Sequence, residues 1–378
     1  MKIRIVVFLL LLGASASPSR SAGAIWSIGY YTPWNNTANA TSSNLSTLQW
    51  SALTHMIVVA AGPNTNGTLN YFNAGNFAST IASTISTAHT HNVKVLLDIT
   101  SANGSFTNAF GAQNSLATLI TNIMSVVNSD SFDGVDIDFE EGWNQTLMNN
   151  LLSGLRTSLG SKLLTAFAND SQFNWSGPPT PVCAAAGNGW TSTQIGYLDR
   201  LNLGAYDLGN PGNGDPYMWF NYALHSDTNQ FLWSADYLKT AAINCGVSAA
   251  KLTIGLPFYG TLYTVNTAPR QTVGGGSTAT QEPYSYILTN FSFSSPTYDI
   301  TAHAPWKVQS GTRYLAWANT QAIDDAINYI KAQSLGGIFV YALGWDGSDC
   351  SVSCPLLSQI GLDLAAPVNP GNGGAIIQ

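Results

Sequence analysis

FDGVDIDFEE, residues 132–141, is the stretch on which the reading of this chain turns. Charged residues make up only 9% of the 378 residues, and there are 20 acids in all. Five of them, Asp133, Asp136, Asp138, Glu140 and Glu141, stand in this one stretch. Asp136, Asp138 and Glu140 alternate with Val135, Ile137 and Phe139. Successive side chains of a strand point to opposite faces, so one face is acidic and the other apolar.

Similar short β-branched and aromatic runs recur along the chain. They predict strands at Ile25–Tyr31, Thr54–Ala60, Val93–Ile99, Phe132–Glu140, Lys162–Ala168, Arg200–Tyr206, Leu252–Tyr259 and Gly337–Leu343. Helical spacing lies between most of them, at Asn76–His91, Ser115–Val127, Thr146–Ser158, Ser234–Asn244 and Thr320–Gln333. Eight strands alternating with helices predict an α/β fold, a TIM (β/α)8 barrel of parallel strands. No Gly-rich dinucleotide turn follows the first strand, which argues against an open doubly wound sheet. The interval between the seventh and eighth strands is too long for one crossover helix. It predicts a small α+β insertion over 261–313, within a catalytic barrel spanning 25–363. A linker-like tail covers 364–378.

In such a barrel the apolar face of 132–141 packs outward on the helices, and the acids point inward. Glu140 then reaches the C-terminal rim, where barrel active sites sit. Three buried carboxylates cannot all ionise cheaply, so at least one keeps a proton near neutral pH. A retained proton is what a general acid requires. Gly134 precedes the acidic run instead of standing in its middle, so calcium-loop spacing fails. Asp133 lies off the acidic face and reads as structural.

Composition narrows the remaining choices. The net charge of −7 comes from scarcity of both signs, and 13 scattered basic residues form no stripe for nucleic acid. No basic amphipathic helix suggests a membrane surface, and no partner chain is indicated, so a monomer is expected. Lys2 and Arg4 precede the apolar run Ile5–Leu12 and the small residues Ala14-Ser15-Ala16. This predicts a signal peptide over 1–22, ending somewhere in 16–24, and a secreted protein. Cys183, Cys245, Cys350 and Cys354 fit an oxidising compartment and allow three pairings, with Cys350 and Cys354 close enough for a small loop. Neither zinc spacing nor a cofactor motif is present, so neither metal nor cofactor is expected. Nine Asn-x-Ser/Thr sequons occur, at Asn35, Asn39, Asn44, Asn66, Asn103, Asn144, Asn169, Asn174 and Asn290. Tyr30, Trp34 and Tyr259, at strand ends, are candidate substrate-binding aromatics, with Trp219 and Trp345 as further candidates.

The run Asp133-Gly134-Val135-Asp136-Ile137-Asp138-Phe139-Glu140 resembles the DGxDxDxE signature of glycoside hydrolase family 18, the chitinases and their relatives. Tyr30-Tyr31-Thr32-Pro33-Trp34, Ala205-Tyr206-Asp207 and Leu256-Pro257-Phe258-Tyr259-Gly260 resemble the family's first-, sixth- and seventh-strand motifs in order. The resemblance implies hydrolysis of chitin or chitooligosaccharides with the substrate's own N-acetyl oxygen as nucleophile. It makes Glu140 the acid and base and Asp138 the partner that orients the acetamido group. Asp136 holds Asp138's proton while Asp138 faces inward, Tyr206 bonds the acetamido carbonyl, and Asp207 contacts the sugar or supports Glu140. Tyr341 falls where the family commonly has a Trp beneath the sugar, with Trp345 four residues on. Other departures are Asp98-Ile99-Thr100-Ser101 in place of an SxGG-like turn, Val59-Ala60-Ala61 without an aromatic, and Glu141-Gly142-Trp143 after the acid. Two alternatives within the resemblance are an endo-β-N-acetylglucosaminidase acting on N-glycan cores and a non-catalytic lectin. Lectin relatives lose the acid that Glu140 supplies here.

Overall fold

The computed structural model describes residues 25–34, 39, 42–100, 115–140, 143–169, 172, 189–209, 211, 216–227 and 233–367. The predicted leader, Glu141, Cys183 and the sequons Asn35, Asn103 and Asn174 lie outside the described residues.

Eight parallel strands close into a barrel: β1 (Trp26–Tyr31), β2 (His55–Pro63), β4 (Lys94–Thr100), β5 (Gly134–Asp138), β6 (Leu163–Ala168), β7 (Arg200–Leu203), β8 (Leu252–Pro257) and β14 (Gly337–Tyr341). β1 pairs in parallel with both β2 and β14, which removes the sheet edges. β3 (Leu69–Tyr71) extends β2 as an antiparallel hairpin that strand periodicity did not reveal. Its signal was the Asn66-Gly67 turn, where Gly67 takes φ 81° and its N–H bonds the Asn64 carbonyl at 2.9 Å.

Helices α1 (Ala74–Thr90), α2 (Ser115–Ser129), α3 (Gln145–Leu159), α4 (Ser192–Tyr197), α5 (Ala235–Asn244), α7 (Thr320–Ala332) and α8 (Pro355–Ala365) occur in the connections and after the last strand. Each long one buries residues three and four apart, as α3 does with Met148, Leu151, Leu152, Leu155 and Leu159. The Asn144 side chain caps α3 by accepting the Leu147 N–H at 3.1 Å. α8 runs into the stretch predicted as tail from residue 364.

Strand alternation sorts the core into two shells. Val135 and Ile137 of β5 join the outer cluster, while Ile28, Tyr30, Ile57, Leu96, Phe167 and Phe339 fill the barrel interior. Between β8 and β14 lies a second, antiparallel sheet of β9 (Tyr259–Thr264), β10 (Ala279–Pro283), β11 (Thr297–Asp299), β12 (Ala304–Val308) and β13 (Arg313–Trp317), with helix α6 (Tyr284–Asn290). The sheet reaches beyond 261–313 at both ends, because β9 starts almost where β8 stops and β13 pairs with it through Trp317↔Gly260. Arg270 bonds Asp227 at 2.6 Å and Asp299 at 2.7 Å while lying over the Trp219 ring at 4.9 Å. Cys350 and Cys354 form a disulfide, and no described cysteine is free.

β5 lies so close to β6 that a Cβ on Gly134 would stand 2.2 Å from the Leu163 carbonyl oxygen. Backbone cannot yield there as a flexible side chain would. Gly134→Ala is expected to lose about 1–3 kcal/mol of stability. Urea unfolding checks this as a lower midpoint at unchanged slope.

Candidate active site

The barrel interior is apolar at most levels, yet β5 brings Asp136 to its middle with 0% exposure. The neighbouring strands answer with donors at the same inward phase. Tyr30 of β1 donates its phenol to Asp136 Oδ2 at 2.7 Å. Thr165 of β6 donates to Oδ1, as does Asn202 of β7 at 3.2 Å. Thr253 of β8 in turn donates to Asn202 Oδ1 at 2.7 Å, which fixes which way that amide faces. A carboxylate receiving three donors is the member of a crowded row that ionises first.

Asp138 stands two residues nearer the mouth and accepts the Thr100 hydroxyl on Oδ2 at 3.0 Å. Glu140 was expected as the last strand residue, but β5 ends at Asp138. The last β4 pair is Thr100↔Asp138, and the last β6 pair is Ile137↔Ala166. The chain beyond is held by Gln172, whose amide donates to the Phe139 carbonyl and accepts the Trp190 indole N–H at 3.1 Å. Glu140 is exposed towards the barrel mouth and accepts a side-chain hydrogen bond from Asn169.

Lost solvation is the first cause acting on every acid of the site, and it favours the proton. It lifts Asp136 to about 6, against the hydrogen bonds from Thr165, Tyr30 and Asn202. Asp138 is held well above the carboxylate range by burial, then by the charges of Glu140 and Asp136. Glu140 is open on the cleft side, but protein behind its carboxyl raises it; Asn169 opposes the rise and Asp207 adds to it. Burial also raises the Tyr206 and Tyr30 phenols, which therefore remain neutral donors. The row thus runs from a donor-backed anion inside to proton-carrying acids at the mouth. Such an arrangement can protonate a leaving oxygen and take a proton back.

Tyr206 and Asp207 follow β7. The Tyr206 ring lies 6.2 Å from Phe167 and 6.1 Å from Tyr259. Asp207 has φ 58°, and its N–H donates to Asn221 Oδ1 at 2.9 Å. Its carboxylate accepts Gln281 of β10 at 2.8 Å and the Tyr259 phenol, so the inserted sheet supports this acid directly.

The predicted aromatic contacts divide by exposure. Trp34 and Tyr341 are partly exposed, at the exit of β1 and the end of β14. Trp345, 2% exposed, meets Tyr341 edge-on at 5.5 Å and Tyr259 at 5.4 Å, backing both rings. Tyr30 and Tyr259 are likewise buried and serve the carboxylates through their hydroxyls. Trp219 is a correction. It is fully buried in a second apolar cluster with Phe220, Tyr263 and Tyr314, and its indole donates to the Trp233 carbonyl at 2.8 Å. It seats the inserted sheet and has no face left for a sugar. Asp133 also sits away from the row, its Oδ2 accepting the Val95 N–H and meeting His89, both at 2.8 Å.

Sequence reasoning assigned no site role to Asp98, Thr100, Thr165, Asn169, Asn202, Thr253 or Gln281. Five of these were visible as polar residues inside apolar runs, in VKVLLDIT, KLLTAFA, RLNLGAY and LTIGLPFY, at the inward phase. Asn169 and Gln281 lie on a loop and on the inserted sheet, where no periodicity points at the barrel.

The profile of Glycosyl hydrolases family 18 matches residues 27–346. Chitinase 1 of Aphanocladium album is 29% identical over 287 residues, covering 69% of this chain and 64% of that protein. The class V chitinase of Arabidopsis thaliana is 26% identical over 254 residues, covering 61% of this chain and 62% of that one. The matches thus span somewhat under two thirds of these relatives. Among solved structures, the Rhizomucor miehei chitinase aligns with a TM-score of 0.73 at 20% identity, over 90% of this chain and 100% of that one. A class V chitinase from Nicotiana tobaccum, solved in complex with NAG4, aligns with a TM-score of 0.72 at 21% identity, over 90% and 99%. At such identities the structural likeness concerns the fold. The profile, however, runs from the first barrel strand through the acidic row to the last, and by it the chain belongs to glycosyl hydrolases family 18.

Proposed function

We propose that this protein is a secreted chitinase, acting as a monomer, that hydrolyses β-1,4-linked N-acetylglucosamine polymers with net retention. The observation that carries this reading is the graded row from Asp136, backed by three donors, to Glu140 at the rim. Membership of the family and the chitinase names of its relatives support the same substrate class. Secretion is supported by the leader pattern and by the Cys350–Cys354 disulfide, which suits an oxidising compartment. No helix among the described residues is long and apolar enough to cross a membrane.

Many glycosidases use two protein carboxylates, but a substrate carrying an acetamido group can supply its own nucleophile. Glu140 protonates the glycosidic oxygen as the bond to the anomeric carbon breaks. The acetamido carbonyl oxygen bonds to that carbon and forms an oxazolinium ring. Asp138 turns from Asp136 towards Glu140 with its proton, accepts the acetamido N–H on one oxygen and donates to the Glu140 carboxylate from the other. The pair balances the positive charge, and Asp136 is left ionised. Tyr206 donates its phenol to the acetamido carbonyl, and Asp207 supports Glu140 or meets the sugar. Glu140, now a carboxylate, draws a proton from water, whose oxygen opens the ring on the original face. Tyr341 lies beneath the cleaved sugar with Trp345 behind it, and Trp34 extends the aromatic wall. A second reading, cleavage of N-glycan cores, is favoured by Tyr341, a smaller platform than Trp.

Glu140→Gln is expected to lower turnover by about 10²–10⁴-fold. Product release from chitin oligosaccharides and from a high-mannose glycoprotein measures it and separates the two substrates. Full activity in Glu140→Gln refutes the assignment of the acid. Binding of oligosaccharides without cleavage of either substrate establishes the lectin alternative.

The direction of the Glu140 shift sets the alkaline side of the rate profile. Its protonated form is the active one, and its affinity for the proton is raised. Activity is therefore present below that raised value and lost as pH rises through it. The descending limb of kcat against pH is expected above the ordinary Glu range, about 4.3. A limb at or below that range contradicts the assignment.

A further inference from the structure

One acid of the barrel has no task in the mechanism above. Asp98 of β4 is 1% exposed and stands in register with Asp136 across the β4–β5 pair. Leu96 before it lines the barrel interior, and Thr100 after it reaches Asp138, so Asp98 shares their inward face. Its Oδ1 is buried and has no hydrogen-bond partner among the described residues.

Asp98 and Asp136 are adjacent carboxyls in opposite surroundings. Asp136 collects three donors and is suited to carry the charge. Asp98 collects none through that buried oxygen, and the ionisable groups facing it are all acidic: Asp136, Asp138 and Glu140 from β5 and its extension, and Tyr30 from β1. β2 adds the apolar Ile57 and Val59 to the interior, and its one titratable inward residue, His55, is stacked on Trp26 lower in the barrel and kept neutral by burial. Burial, then the charges of Asp138, Asp136 and Glu140, all drive Asp98 towards its protonated form. Two carboxyls side by side in a dry interior share a proton as a hydrogen bond. The neutral one then becomes a donor, which is what an anion beside it requires.

We propose that Asp98 is a positioning residue for the reaction: a carboxyl that keeps its proton and donates it to the Asp136–Asp138 pair. When Asp138 turns towards Glu140 and the substrate, Asp98 remains behind as a donor to Asp136. Asp136 can then stay ionised without Asp138 facing it. This inference rests on the proposed function for its catalytic consequence. Its electrostatic core is testable without substrate.

The test compares Asp98→Asn, which keeps a donor and the shape, with Asp98→Leu, which keeps a similar shape and removes the donor. Asp98→Ala stands in if the Leu variant fails to fold. Neither Asn nor Leu can ionise, so any difference between them reports the donated hydrogen bond. In unfolding, Asp136 binds a proton in the fold that the unfolded chain has already released. Its contribution to stability is therefore full below about pH 4, the unfolded carboxylate range, and falls away as pH rises through the folded value. Removing a donor raises that value, so the fall in Asp98→Leu is expected about one pH unit above that in Asp98→Asn. With chitin oligosaccharides, the acid limb of kcat/KM is expected to move up in Asp98→Leu, with kcat roughly tenfold lower and KM little changed. Asp98→Asn is expected to keep the wild-type limb. Coincident unfolding profiles for the Asn and Leu variants overturn the proposal, as does an Asn variant whose acid limb moves as far as that of Leu. If no substrate is cut by any variant, the proposed function fails while the unfolding comparison still decides the role of Asp98.

Discussion

A carboxyl group at the centre of a closed barrel is cut off from bulk solvent, and the arrangement around Asp136 follows from that constraint. Leaving an ion of this size unpaired in a dry interior costs several kcal/mol even after relaxation. Four strands meet the demand with one polar side chain each: Tyr30, Thr165, Asn202 and, behind Asn202, Thr253. Each takes an inward position that another apolar side chain could have filled. The packing of the middle layer is therefore organised around one group of β5. Changes on β1, β6, β7 or β8 at this level act through the protonation of Asp136 as much as through volume.

The inserted sheet has a comparable dual character. Trp219, Phe220, Tyr263 and Tyr314 form an apolar cluster of their own, and Arg270 links segments on both sides of it. That cluster fixes β9 and β10 over the mouth. From there Gln281 reaches Asp207, and Tyr259 stands between Asp207 and Trp345. The sheet thus orients one acid of the site and backs its aromatic wall. Trp219 does its work at a distance by holding this sheet in place.

The barrel was legible because strand and helix periods are local, and the eight expected strands correspond to the eight that close the sheet. Strand ends were less so. The alternation of FDGVDIDFEE continues to Glu140, but ladder partners stop at Asp138, and partners are a tertiary property. The small strand β3 was missed because three residues carry no period, and only its Asn-Gly turn marked it. Within the site, Asp136, Asp138 and Glu140 could be placed on one face from the sequence alone. Trp219 misled because abundance and position after a strand say nothing about burial. Gln281 lies 74 residues beyond the acid it supports, so only the folded chain shows the contact.

Glu140 gains from standing just outside the ladder. A side chain on the strand proper is fixed in direction by its neighbours, as Asp136 is by its donors. Beyond Asp138 the backbone is held at the Phe139 carbonyl by Gln172, so the Glu140 side chain stands outside the pleat and is exposed. Protein behind it still raises its affinity for the proton, while Asn169 steadies the ionised form. An acid that must give up a proton and recover it within one turnover needs both forms within reach. Deeper in the barrel, Asp136 is stabilised in its ionised form by donors, and Asp98 is driven to its neutral form by burial and then by the acids around it. The exchange of protons is thereby confined to Asp138 and Glu140, the two members of the row nearest the substrate.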